Sequence, residues 1–193
     1  NIVLKKEKEI QFEKTFGSKL SNLTFSRFLE DNIDYSAKVF KDLFLKKHFI
    51  GGFVLYRKYS RKDVFRILNW ASNPNPQTVG GYIVSPDKSN CPIFVNYHKE
   101  ESISNTTKYE DGFINNSEFE WMSKSKRTLK SPDVQAIINY KSGLRIPLFI
   151  KKHNDEGTEF YFMGDVTPID GSFAQTTISD DNGGQVSVVK VKF

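Results

Sequence analysis

The stretch Phe119-Glu-Trp-Met-Ser-Lys-Ser-Lys-Arg-Thr-Leu-Lys-Ser-Pro-Asp-Val134 reads as an extended segment followed at once by a helix start. With 119–127 extended, Glu120, Met122, Lys124 and Lys126 share one face, and Trp121, Ser123, Ser125 and Arg127 share the other. Ser131 stands at an N-cap position, Pro132 at N1 and Asp133 in the first turn, which predicts a helix with Val134, Ile137 and Ile138 facing the core. The strand carries binding chemistry rather than catalytic chemistry. Its cations neutralise phosphates, and an indole offers an unstacked base a surface worth ~1–3 kcal/mol. The same residues also fit a solvated edge strand whose lysines oppose aggregation, with Trp121 in the core.

Further strands and helices lie on either side. Ile146-Pro-Leu-Phe-Ile-Lys-Lys152 and Thr158-Glu-Phe-Tyr-Phe-Met163 flank His153-Asn-Asp-Glu-Gly157 as a hairpin, and Gln185–Phe193 supplies a last strand. Gly81-Tyr-Ile-Val84 and Ile93-Phe-Val-Asn-Tyr97 read as strands joined by a turn at 85–90. Phe53-Val-Leu-Tyr56 reads as another, and Ser60-Arg-Lys-Asp63 has capping-box form, which predicts a helix to about Asn69. That helix stops in Trp70-Ala-Ser-Asn-Pro-Asn-Pro76, a loop of turn formers that leaves Trp70 and Ser72 within reach of a ligand. Residues 98–116 are polar and irregular, and they hold Lys108-Tyr-Glu-Asp-Gly-Phe113. Long loops of this kind are often functional. The pattern predicts an α+β domain over 51–193 with a curved or barrel-like mixed sheet and inserted helices. Residues 1–50 read as a helical extension, one helix capped by Thr24 with Phe25, Phe28 and Leu29 inward, and a second carrying Val39, Phe40, Leu43 and Phe44.

Composition narrows the function classes. The single cysteine, Cys91, excludes an internal disulfide framework and a cysteine-based zinc site, and it suits a reducing, cytoplasmic compartment. No apolar run approaches the ~18 residues of a transmembrane helix, and no secretory h-region is present, so no membrane partner is expected. The first residue is Asn1, and the last residues still alternate, which suggests a piece of a longer polypeptide. A net charge of +5 is compatible with a polyanion partner. The cations gather in two knots, Arg57, Lys58, Arg61 and Lys62 in one and Lys124, Lys126, Arg127 and Lys130 in the other, suited to holding two backbones of a duplex.

Catalytic patterns are missing. The glycine pairs at 51–52, 80–81 and 183–184 lie in no GxxxxGK[ST] frame, and His48, His98 and His153 have no metal-ligand spacing. Pro86-Asp87 and Pro132-Asp133 have no downstream (D/E)xK to complete a metal-dependent nuclease motif, and no GxSxG elbow exists. The chain therefore reads as a non-catalytic binding module, with no cofactor or metal expected.

Five segments together resemble a known family: Tyr59-Ser-Arg-Lys-Asp-Val64, Cys91-Pro-Ile-Phe-Val-Asn-Tyr-His-Lys99, Thr107-Lys-Tyr-Glu-Asp111, Trp121-Met-Ser-Lys-Ser-Lys-Arg-Thr-Leu129 and Phe149-Ile-Lys-Lys152. They are similar to the C-terminal domain of ATP-dependent type IV restriction enzymes, which join a helicase-like motor to a phospholipase-D-type nuclease. The resemblance spans about residues 51–168. It implies an SRA-like (PUA-like) reader of 5-methyl- or 5-hydroxymethylcytosine in double-stranded DNA that flips the base and serves motor and nuclease domains of the same polypeptide. Tyr109-Glu-Asp-Gly112 resembles the Tyr-Asp-Gly signature of SRA domains with one residue inserted. Tyr59-Ser-Arg-Lys-Asp-Val64, Trp70-Ala-Ser72 and the hairpin at 146–163 also resemble YTH-type readers of methylated adenine in RNA, which nominates Trp70 and Ser72 for an aromatic cage.

Flipping costs a few kcal/mol, to be offset by stacking and by hydrogen bonds on the Watson–Crick edge. An acid that accepts from the exocyclic amine suits cytosine, so Asp111 is the expected reader, with Glu110 second. Tyr59, Trp70, Tyr109 and Trp121 are the stacking candidates, each of which also fits a core position. Ser72 and Ser123 complete the expected base-binding set. The competing readings are a small hydrolytic domain, a protein-interaction domain that docks motor onto nuclease, and a YTH-like RNA reader.

Overall fold

The structure is a computed structural model that describes residues 3–6, 9–44, 48–72, 74–97, 111–115, 117–180 and 183–193. The chain divides into two compact units, Asn1–Phe49 and Ile50–Phe193.

In the first unit, β1 (Val3–Lys6) pairs antiparallel with β2 (Glu9–Phe12). This hairpin was not expected from the sequence. α1 (Lys14–Lys19) is capped by Glu13, whose carboxylate accepts from the Phe16 amide at 3.0 Å. The expected pair of short helices is instead one helix, α2 (Leu23–Phe44), because no glycine or proline interrupts 23–44. Its N-cap is Asn22 rather than Thr24, with Oδ1 accepting from the Phe25 amide at 3.1 Å. Phe12, Phe16 and Phe25 form a small aromatic cluster, whereas Phe28 and Phe40 remain exposed rather than in a core.

The second unit is α+β. The two-residue strands β3 (Phe49–Ile50) and β4 (Phe53–Val54) flank Gly51-Gly52 in sequence. There follow β5 (Lys58–Ser60), α3 (Arg61–Ile67), β6 (Ile93–Asn96), β7 (Gly112–Phe113), β8 (Phe119–Met122), α4 (Pro132–Ile138), β9 (Pro147–Lys151), β10 (Glu159–Asp165), β11 (Ala174–Ser179) and β12 (Gln185–Lys192). Two four-stranded sheets result, in the orders β5-β10-β9-β6 and β11-β12-β8-β7. The first is mixed, with β6 parallel to β9, and the second is antiparallel throughout. Among the described strands neither sheet closes on itself, so the barrel-like expectation gives way to two open sheets.

Period-two alternation assigns the two faces of the first sheet. Ile93, Val95, Leu148 and Ile150 point into one cluster with Phe119, Trp121 and Val191 of the second sheet and Ile137 of α4. Phe94, Phe149, Phe160 and Phe162 point the other way, with Val64 and Phe65 of α3. Both faces of β6 and β9 are thus apolar, as expected of strands covered on both sides. Phe94 and Phe149 stack at 5.2 Å between ring centroids.

Two expected strands change, and one strand appears that the sequence does not predict. Gly81–Val84 contributes only an isolated bridge, Tyr82 to Ile93, and a 2.7 Å bond from the Phe94 amide to Gly81 O. The strand expected over 119–127 stops at Met122, and the chain then turns at residues 125–126, where Lys126 has φ 61°. β11 was not foreseen, since Ala174-Gln-Thr-Thr-Ile-Ser179 is largely exposed and has no apolar alternation. The helix signals held more closely. Ser60 Oγ accepts from the Asp63 amide at 3.2 Å, and Pro132 opens α4. Ser131 Oγ, however, accepts from the Thr128 amide rather than capping α4.

Candidate nucleic-acid interface

A cleft of about 600 Å³ opens where Gly80-Gly81 runs beside the end of β6, opposite the turn that follows β8. Tyr82, Phe94, Val95, Trp121 and Met122 give it an apolar lining, and Arg61, Lys124 and Lys126 supply cations. Asp111 is the one acid in its lining among the described residues. Residues from both basic knots therefore meet at one concavity.

Each wall has a local cause. Gly80 has φ 65°, a conformation that favours glycine, and a Cβ there would stand 3.1 Å from Lys124 Cε. The missing side chain lets Lys124 lie across the segment, with Nζ 4.8 Å from the centre of the Tyr82 ring. Burial, then the nearby Arg127 charge, hold the Lys124 ammonium pKa below its ordinary value. Lys126 is exposed in a left-handed conformation, which costs an ordinary residue on the order of 1 kcal/mol. Asp111 precedes β7, and its Oδ1 accepts from the Met122 amide at 2.8 Å, which fixes the carboxylate against β8.

Beneath the turn, Asp133 Oδ2 accepts from the Tyr82 hydroxyl at 2.7 Å and from Arg127 Nε at 2.7 Å. Burial raises the Asp133 pKa, but the hydrogen bonds from Arg127 and Tyr82 outweigh it and hold the carboxyl below its ordinary value. Burial, reinforced by Asp133, pushes the Tyr82 phenol well above its usual range. This triad ties the basic turn to α4 and to the floor of the cleft.

The expected site residues divide. Asp111, Trp121, Arg61, Lys124 and Lys126 come together at the cleft. Trp121 is only 3% exposed, edge-on to Tyr82 at 4.8 Å and tilted against Phe193 at 5.8 Å, so it presents a sliver rather than an open stacking surface. Tyr59 is a core residue, its hydroxyl accepting from the Val54 amide at 2.8 Å. Trp70 packs on Phe65 and donates from Nε1 to Asn90 Oδ1 at 2.7 Å, while Ser72 is exposed beyond it. Ser123 is fully buried, and its hydroxyl accepts from the Val189 amide at 2.9 Å, extending the β8–β12 pairing. Tyr109 and Glu110 lie outside the described residues.

The first basic knot is split by the sheet. Lys58 lies over Tyr161, 4.7 Å from the ring centre, whereas Arg61 lies over Phe94 and Phe160 on the opposite face. Arg57 is exposed on the strand side of that break, and Lys62 is exposed beside Arg61. In the second knot Arg127 is ion-paired with Asp133, and Lys130 is exposed. The sequence reading passed over Gly80, Tyr82 and Asn96 as site residues. Their signal was the glycine pair just before an aromatic, beside a strand ending in asparagine.

Fold and cleft define a class, a two-sheet α+β domain with a cation-rimmed cleft at the edge of its mixed sheet. Residues 53–193 match the family described as "Domain of unknown function (DUF3427)", and the chain belongs to that family. No curated protein matches the chain. Among the described residues no helix is long and apolar enough to cross a membrane.

Proposed function

We propose that the Ile50–Phe193 unit is a DNA-binding specificity domain, SRA-like (PUA-like) in kind, that recognises 5-methyl- or 5-hydroxymethylcytosine by flipping the base. It serves an ATP-dependent type IV restriction endonuclease whose motor and nuclease lie in the same polypeptide, and it carries no catalysis itself. The observation behind this reading is the cleft that gathers Asp111, Trp121, Lys124, Lys126 and Arg61 from distant parts of the chain. An acid on an aromatic floor with a cationic rim suits a cytosine whose amine needs an acceptor and whose flanking phosphates need counter-charges. Because Trp121 is so covered, apolar contact with the base is shared with Val95, Met122 and the Tyr82 ring.

The test is a titration of the protein against two duplexes that differ by one 5-methylcytosine, at fixed salt. Tighter binding to the methylated duplex is expected. Lys124→Ala with Lys126→Ala weakens binding to both duplexes alike, whereas Asp111→Asn removes the preference while retaining Oδ1 for Met122. With about four phosphate contacts, affinity falls roughly a hundredfold between 50 and 200 mM salt. Equal binding to both duplexes by the unaltered protein refutes modified-base recognition.

A docking role has its own supporting observation. Tyr56, Tyr97, Phe113 and Tyr161 are partly exposed around a shallow apolar hollow of about 240 Å³ that also includes Ile150 and Met163. A domain that only docks onto motor or nuclease binds DNA weakly, and its partner affinity changes little with salt.

A further inference from the structure

On the α3 side of the mixed sheet, the apolar face ends abruptly. Two residues along the chain, Phe94 gives way to Asn96 on β6, Phe149 to Lys151 on β9, and Phe160 to Thr158 just before β10. Successive same-face positions thus change from phenylalanine to polar residues across three strands. Parallel pairing sets Asn96 directly beside Lys151. This polar floor, with Ser60, Arg61 and Lys62 and Asn75 to Gln77, borders a half-open cavity of about 780 Å³.

Among the described residues the lining carries three cations and no carboxylate, while Glu156 and Asp155 act on Lys151 from outside the lining. Lys151 is only 7% exposed, and its Nζ donates to Gly157 O at 2.9 Å. Arg61 reaches Pro76 O at 3.3 Å through Nη1, but its Nε is buried with no hydrogen-bond partner among the described residues. Both cations lie over one ring, Arg61 at 5.0 Å and Lys151 at 5.1 Å from the centre of Phe160. Burial, then the like charge of Arg61, hold the Lys151 ammonium pKa below its ordinary value. Arg61 lowers the Lys151 pKa, so the two cations repel, and an oxyanion held in the cavity they both line offsets that repulsion and gives Arg61 Nε an acceptor.

We propose that this cavity binds a phosphate group through Arg61 and Lys151. Arg61 and Asn96 line both this cavity and the cleft of Asp111 and Trp121, so the two concavities share a wall. A nucleotide with its base in the cleft presents its phosphodiester to Arg61 and Lys151. That source of the phosphate rests on the DNA-reading proposal, whereas affinity for inorganic phosphate does not.

The test has two arms, with inorganic phosphate and with DNA. At constant ionic strength, phosphate at ten times its Kd raises the unfolding midpoint of the unaltered protein by about 3–6 °C. Lys151→Met, which keeps an unbranched stem over Phe160, abolishes the rise, and Lys151→Arg retains part of it. No rise in the unaltered protein, or an equal rise in Lys151→Met, overturns the site. In the DNA arm, a neutral methylphosphonate replaces the linkage beside the single 5-methylcytosine. The replacement weakens binding by the unaltered protein about tenfold or more and leaves Lys151→Met unaffected. Phosphate binding that Lys151→Met removes, together with no methylphosphonate effect, supports a site for free phosphate and rejects the strand as its source. Equal binding to methylated and unmodified duplexes, with the phosphate response intact, refutes the base reading and leaves the phosphate site standing.

Discussion

Replacing Asp133 with alanine severs three hydrogen bonds at once, those from the Tyr82 hydroxyl, from Arg127 Nε and from the Val134 amide. Tyr82 is 1% exposed, so its stranded hydroxyl costs about 1–3 kcal/mol. The Arg127 pair is more open, with side-chain exposures of 36% and 22%, and contributes roughly 0.5–1 kcal/mol. Loss of an acid from the first turn of α4 adds about 0.5 kcal/mol. Together these amount to about 3 kcal/mol, or roughly 6–12 °C in the unfolding midpoint. Urea denaturation of the single and double variants gives the partition. Tyr82→Phe removes the donor along with its need, so Asp133→Ala costs less in that background by about 1 kcal/mol or more. The acid limb gives a second reading. The Asp133 carboxyl is held below its ordinary value, so its stabilisation is complete above the unfolded pKa of about 3.9 and is lost as pH falls through the lowered folded value. Asp133→Asn flattens that limb. A midpoint within 1 °C of the unaltered protein for Asp133→Ala, or strict additivity with Tyr82→Phe, refutes the triad as the anchor of the basic turn.

Gly80→Ala combines a strained φ of 65° with a contact at 3.1 Å to Lys124 Cε, so it costs about 1–2 kcal/mol and moves the lysine, with DNA affinity reported by titration. Ser123→Ala leaves the buried Val189 amide without its acceptor and costs about 1–3 kcal/mol in urea denaturation, with no loss of DNA preference once the protein is folded. Phe149→Ala opens a cavity at a fully buried ring that contacts Phe53, Phe94 and Phe162, and costs about 3–5 kcal/mol by the same assay. The Lys124 pKa is held below its ordinary value, so in the folded protein its charge is lost earlier on alkaline titration than in the unfolded chain. DNA affinity at fixed salt therefore starts to fall at a lower pH for the unaltered protein than for Lys124→Arg. Coincident curves for the two proteins remove Lys124 from the interface.

Local signals were legible in the sequence because each depends on residues a few positions apart. The Ser60 cap, Pro132 at the start of α4, and the turn that ends at Gly157 between β9 and β10 are set by φ preferences and short-range hydrogen bonds. The alternation of Phe119 and Trp121 against Glu120 likewise announced one buried face. Where such signals were weak the reading failed, as at β11, whose polar residues are held by pairing with β12 rather than by burial.

Only the tertiary structure decided which chemistry converges. Arg57, Lys58, Arg61 and Lys62 are contiguous enough to look like one knot, yet the edge of the sheet sends Lys58 and Arg61 to opposite faces. Trp121 and Ser123 had the right chemistry for a ligand, but the core cluster that joins the two sheets packs Trp121, and the β8–β12 pairing uses Ser123 for hydrogen bonding. Conversely, Lys151 reads as part of an ordinary basic strand end until parallel pairing sets it beside Asn96 and the fold makes it line the same cavity as Arg61, each over the Phe160 ring. Residue type and periodicity determine which side of a strand a group occupies. Which distant strand lies beside it depends on long-range pairing and loop closure, and no short stretch of sequence encodes that.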